Sequence, residues 1–175
     1  MSSLKVCESF FNFDGNFNRG HDVVSALYHL IHNCKEKNYV HFKYLEKQIY
    51  RSSKGLSTCE DFDDLLKLAL CNVTDDYKGN DVCWTLVGYM FYVSEKVDYA
   101  AQRSLDPIQY RSFKKHMISY LSQKLTNVFG ENLTETTWKY FSMRQTLNSI
   151  QVKPFNWFSF GLGLCSAYVA NKLMD

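Results

Sequence analysis

The chain has 175 residues, 46% hydrophobic and 16% aromatic, a length that fits one domain with a single sizeable core. With 2 prolines and 8 glycines it has too few turn formers for a many-stranded all-β fold, whereas long helices are well accommodated. A formal net charge of +2, with no basic run, gives no nucleic-acid footprint.

Residues 1–20 read as an irregular lead ("NFDGNFNRG") without the hydrophobic core of a signal peptide. From His21 the pattern turns helical. Val23, Val24, Leu27, Leu30, Ile31 and Cys34 recur at helical spacing, with Asp22 in the first turn and Lys35 and Lys37 in the last, as the helix dipole favours. A second helix is expected over about 40–51, with Phe42, Leu45 and Ile49 on one stripe, and "SSKGLS" ends it. In "STCEDFDDLLKLALCNV" Ser57 or Thr58 can cap. Phe62, Leu65, Leu66, Ala69, Leu70 and Val73 then form an apolar face.

After the loop "TDDYKGND" comes "DVCWTLVGYMFYVSEK". No formal charge lies between Asp81 and Glu95. An apolar stretch of this length is more often a buried core helix than a membrane span, and no partner strand is available to make it part of a sheet. A helix that is apolar on every side must be enclosed. Residues 82–94, or about 82–97 with the flanking turn, are therefore expected as the central post of an all-α bundle wrapped by four or more amphipathic helices. Pro107 suits the first turn of the next helix. Phe113, Met117, Leu121, Leu125 and Val128 repeat along it, and Gly130 ends it. "TTWKYF" reads as a short helix. Residues 154–171 carry no charge, with Trp157 and Tyr168 suited to interfaces, so a hydrophobic tail over 154–174 is expected to anchor in a membrane.

Catalytic chemistry is not visible. "HLIHNC" sets His29 and His32 three apart near Cys34, but without a third ligand, and a partly buried structural pair is expected instead of a metal site. "FGLGL" lacks the strand and spacing of a phosphate loop. No G-x-S-x-G and no Glu-x-x-His occurs. The six cysteines (7, 34, 59, 71, 83 and 165) form no C-x-x-C pair and read as reduced, mostly buried thiols of an intracellular chain. On that reading the glycosylation sequons at Asn72 and Asn132 are fortuitous. Cys59, beside Glu60 and Asp61, is a poor nucleophile. No enzyme, cofactor or metal is expected.

Four stretches, in order, resemble the Bcl-2 family of apoptosis regulators. "HDVVSALYHLIHNCKEKNY" resembles the family's first helix. "FDDLLKLALCNV" through "NDVCWTLVGYMFYVSEKV" resembles its fourth helix and first homology region, with Trp84 at the signature tryptophan. "ISYLSQKLTNVFGEN" and "TTWKYF" resemble its sixth helix and second homology region at Tyr120, Leu121, Leu125, Glu131, Asn132, Trp138 and Phe141. "FNWFSFGLGLCSAYVANKL" resembles its tail anchor.

The resemblance implies a Bcl-2-like bundle over 21–150 and an apolar groove for a partner's amphipathic helix. Leu65, Leu68 and Ala69 would form its wall, and Leu86, Tyr89 and Val93 its floor beside Trp84. Two departures stand out. Leu86 replaces the arginine that meets an aspartate of the bound helix, and Thr85 replaces a glycine. The third homology region, expected over 40–51, lacks its Leu-x-x-x-small-Asp core, which favours an inhibitor over a pore-former. The expected function is sequestration of pro-apoptotic partner helices, on the cytoplasmic side of the mitochondrial outer membrane or the endoplasmic reticulum, or in the cytosol with the tail folded back. The alternatives are a pore-forming member of the family and a helical adaptor that has lost groove binding.

Overall fold

Residues 85–94 form an unbroken run of buried positions in the middle of one helix, and the other helices are arranged around it. The computed structural model describes residues 2–13, 22–71 and 80–130, together with Trp138 and Phe141. Among these the chain is all-helical, with no strand: α1 (Ser3–Phe11), α2 (Asp22–Lys37), α3 (Tyr39–Ser52), α4 (Cys59–Cys71), α5 (Asn80–Ser104) and α6 (Pro107–Phe129). The tail over 154–174 and both sequons lie outside the described residues. Among those residues no helix is long and apolar enough to cross a membrane.

Local chemistry sets the helix boundaries. α4 opens with a reciprocal cap: Thr58 Oγ1 accepts from the Asp61 amide at 3.1 Å, and Asp61 Oδ2 accepts from the amides of Thr58 and Ser57 at 3.2 Å each. α6 opens on Asp106, whose Oδ1 accepts from the amides of Ile108 and Gln109 at 2.8 and 2.9 Å, with Pro107 in the first turn. Gly55, at φ 85°, makes the turn after α3, and Gly130, at φ 54°, ends α6.

The lead expected to be irregular is a helix over Ser3–Phe11. Val6, Cys7 and Phe10 are buried, and the helix packs on α6 and α2. Phe10 stacks on Tyr28 of α2 at 4.7 Å and meets Phe91 of α5 edge-on at 4.9 Å. Val6, Cys7 and Phe10 sit at i, i+1 and i+4, one helical face that the Asn- and Gly-rich segment after it hides from a composition-led reading.

α5 is longer than the 82–97 expected from its apolar run. Beyond Ser94 it changes character. Val97 and Ala101 stay buried while Tyr99 and Arg103 face solvent, an ordinary amphipathic pattern. α2, α3, α4 and α6 all pack against α5. At Gly88 α2 comes close: a Cβ there would lie 3.0 Å from Leu30 Cγ and 3.5 Å from Cys34 Sγ of α2. Gly88, three residues after Thr85, thus lies against α2. The hydroxyls of Thr85 and Ser94 are buried without a hydrogen-bond partner among the described residues.

Cys7 and Cys34 are buried free thiols, as expected, and burial pushes the Cys34 thiol up to about 11. Cys59 is half-buried and Cys71 exposed, both free.

Two measurements check this packing. Gly88→Ala gains about 1 kcal/mol of helix propensity and loses about 1–3 kcal/mol to crowding at Leu30. It should therefore fall between neutral and about 2 kcal/mol destabilising in urea unfolding. Gly88→Leu should cost about 3 kcal/mol or more; equal effects of the two would mean α2 backs away freely. The second concerns Glu95 of α5. Burial raises its carboxyl above the ordinary value of 4.5, and Lys96 and Lys35 offset this only in part. Its contribution to stability is complete below pH 4.5 and is lost as pH rises through the raised folded value. Glu95→Gln should flatten the fall in Tm between about pH 4.5 and neutrality relative to wild type. An unchanged slope would refute the assignment.

Candidate partner-binding site

The seven residues expected to line the groove divide into two sets. Leu65, Ala69, Leu86, Tyr89 and Val93 are fully buried, while Leu68 and Trp84 are partly exposed. α4 does face α5, so the expected wall and floor adjoin. At Tyr89 the floor is covered by α3. Phe42 of α3 lies edge-on to Tyr92 at 4.6 Å and to Tyr89 at 6.5 Å. With Leu45 and Ile49 it forms a stripe at i, i+3 and i+7, all buried. Helix α3 thus lays its apolar stripe on α5 at Tyr89 and Tyr92, as an amphipathic helix does in a groove.

One turn further along α5 the cover lifts. Val93, Lys96 and Ala100 continue one face, and from Lys96 onward α3 and α5 are separated by an open cleft of about 620 Å³. Ile49 and Ala100 give it an apolar base. Tyr50 and Tyr99 stand exposed at its edges. Five cationic side chains (Lys43, Lys47, Lys54, Lys96 and Arg103) line it, against one carboxylate, Glu46. Lys54 lies over the Tyr50 ring at 5.1 Å. Arg103 lies over Tyr99 at 5.5 Å and donates to its hydroxyl at 3.0 Å, so both cations are held at the rim. Lys96 sits 3.9 Å from both Glu46 and Glu95 and 5.1 Å from the Tyr92 ring. The cleft offers apolar area, aromatic walls and excess positive charge, a surface for an amphipathic segment bearing a carboxylate.

Trp84 has a different setting. It stacks on Phe141 at 4.1 Å with 16° between the rings and meets Trp138 edge-on at 5.5 Å. Trp138 and Phe141 are fully buried and helical, in line with the short helix expected there. Residues from two stretches on which the resemblance rests are thus brought together by folding.

His29 and His32, expected to be partly buried, are both exposed, and His32 pairs with Glu36 at 3.2 Å; burial of Leu30, Ile31 and Cys34 turns the histidine face outward. Cys59 remains a poor nucleophile, because burial, then Asp63 and Glu60, push its thiol up. Asp61 is engaged in the cap instead. The cleft cations went unnoticed in the sequence because α3 and α5 supply them from positions about fifty residues apart. The spacing of Lys43 and Lys47 at i, i+4, opposite the buried stripe, was the available signal. Compared with protein-family models, curated proteins and solved structures, the chain matches none.

Phe42→Ala should remove the roof over Tyr89 and Tyr92 and cost about 3–5 kcal/mol. Amide hydrogen exchange should speed up in α3 before α6 responds. Uniform acceleration through every helix would show that α3 is not a separable cover.

Proposed function

We propose that this chain is an inhibitor of cell death of the Bcl-2 type, which sequesters amphipathic helices of pro-apoptotic partners. The observation that carries the reading is the aromatic cluster of Trp84, Trp138 and Phe141, formed by the homology-region residues that prompted the resemblance. The enclosed apolar core of α5 supports it further. Membrane attachment through residues 154–174, at the mitochondrial outer membrane or the endoplasmic reticulum, belongs to the same proposal.

The binding mode follows from the covered floor. A partner helix settles in the cleft between α3 and α5 and extends toward Val93 as Phe42 yields. Each apolar anchor it buries contributes about 1.5–3 kcal/mol before ordering costs. The acidic residue of the partner, which Leu86 cannot satisfy, meets the cations of the cleft about three to five turns further along α5. A charge-assisted hydrogen bond there contributes about 1.5–3 kcal/mol.

A second reading, a helical adaptor without groove binding, is favoured by the burial of Leu65, Ala69, Leu86, Tyr89 and Val93. The pore-forming alternative has no such observation behind it and is separated by liposome leakage.

Titration of the chain with a panel of pro-apoptotic helix peptides should give at least one complex at roughly ten micromolar or tighter, about −7 kcal/mol. Replacing the peptide's acidic residue by alanine, or introducing Lys47→Glu with Arg103→Glu, should weaken that complex about tenfold. Failure of every peptide at about a hundred micromolar, with cell protection intact, would leave the adaptor reading in its place.

A further inference from the structure

Cys59 and Asp63 stand one turn apart on α4, and His116 reaches them from α6. Cys59 Sγ lies 3.9 Å from Asp63 Oδ2 and 3.9 Å from His116 Nδ1, and the last two atoms are 3.0 Å apart. We propose that these three side chains form a zinc site that fastens the first turns of α4 to α6.

The spacing suits the ion. Zinc bonds of about 2.3 Å to sulfur and about 2.0–2.1 Å to nitrogen and oxygen, at tetrahedral angles, require about 3.5 Å between sulfur and either partner. Nitrogen and oxygen should then lie about 3.3 Å apart. The three observed separations depart from these by about 0.4 Å or less, within the adjustment of side chains that are partly exposed. The donor set also suits it. A thiolate, an imidazole and a carboxylate are the three ligand types that zinc takes, and thiolate with carboxylate neutralises its two charges. Water fills the fourth position in a three-ligand site. Entry is open on the His116 side, where the imidazole is 59% exposed, while Asp63 at 18% is held in place beneath it.

The supporting structure is rigid. Thr58 and Asp61 cap the turn that carries Cys59, and Phe62 of α4 packs edge-on against Phe113 of α6 at 5.7 Å, one turn before His116. The backbones that present the ligands are therefore fixed by packing independent of the ion. Without a cation, the thiolate is disfavoured by burial, Asp63 and Glu60. A divalent ion reverses that balance and displaces one proton from the thiol. The site joins residues 57 positions apart and stabilises α4, the helix that carries Leu65, Leu68 and Ala69.

The test uses the reduced full-length chain and cobalt(II) as the optical probe, with zinc as competitor. One equivalent of cobalt should give a thiolate-to-metal charge-transfer band, and zinc should remove it. Zinc should also raise Tm. Cys59→Ser should abolish the band. His116→Ala should weaken binding by about tenfold or more, and Cys71→Ser, which removes an exposed thiol elsewhere, should leave it unchanged. No charge-transfer band at a hundredfold excess of cobalt, a band that survives Cys59→Ser, or one lost with Cys71→Ser would each overturn the proposal. Peptide binding is not read in this test, so its outcome is separate from that of the proposed function.

Discussion

The constraint on which the rest of the structure depends is that the middle of α5 is apolar on every side. A helix with one apolar stripe needs one partner surface, but a helix without a polar face needs a partner in every direction. α2, α3, α4 and α6 supply those directions. Their own sequences answer the demand, each carrying one apolar face and one charged one. The few small or polar residues inside the run have a price or a purpose. Gly88 lets α2 come close enough to close the package. Thr85 and Ser94 bring hydroxyls that find no partner among the described residues, a local cost that well-packed neighbours must offset.

The same helix also explains why the surface opens where it does. At Glu95 the sequence of α5 returns to an amphipathic pattern, and enclosure is no longer required. α3 follows the buried half closely through Phe42, Leu45 and Ile49. Where the two helices part, their charged residues are better hydrated than packed together, since the lining cations repel one another and Glu46, with Glu95 beside Lys96, offsets them only in part. The cleft is thus where hydrophobic packing ends and charge repulsion begins, and it is basic for that reason.

How much of this was legible in the sequence depends on the distance over which each signal acts. The start of α4 and both ends of α6 were readable because Thr58, Pro107 and Gly130 act on their own turn. The enclosure of α5 was readable because a chargeless run of that length has no other soluble resting place. α1 was missed: its face of Val6, Cys7 and Phe10 is short, and its partners Tyr28 and Phe91 lie far along the chain. Of the expected groove residues, Leu86, Tyr89 and Val93 share one face of α5 by their spacing, and all three are buried. Spacing could not say that Phe42 covers that face, because the choice of cover is a tertiary competition between helices. The approach of His116 to Cys59 and Asp63 is of the same kind.

On the proposed reading, that competition bears on how a partner helix is chosen. α3 presents Phe42, Leu45 and Ile49 at the spacing that a groove-binding helix uses, and it is tethered to α5 at high effective concentration. An incoming helix on the proposed reading gains only the difference between its own burial and the burial α3 gives up. Apolar complementarity alone therefore discriminates weakly, because α3 already has it. What α3 lacks is negative charge directed at Lys47 and Arg103, since its one carboxylate in the cleft, Glu46, faces Lys96. Charge on the partner is the part of the interaction that α3 does not already satisfy. On that reading, selection rests on an acidic residue of the partner placed beyond the apolar anchors, opposite Lys47 and Arg103.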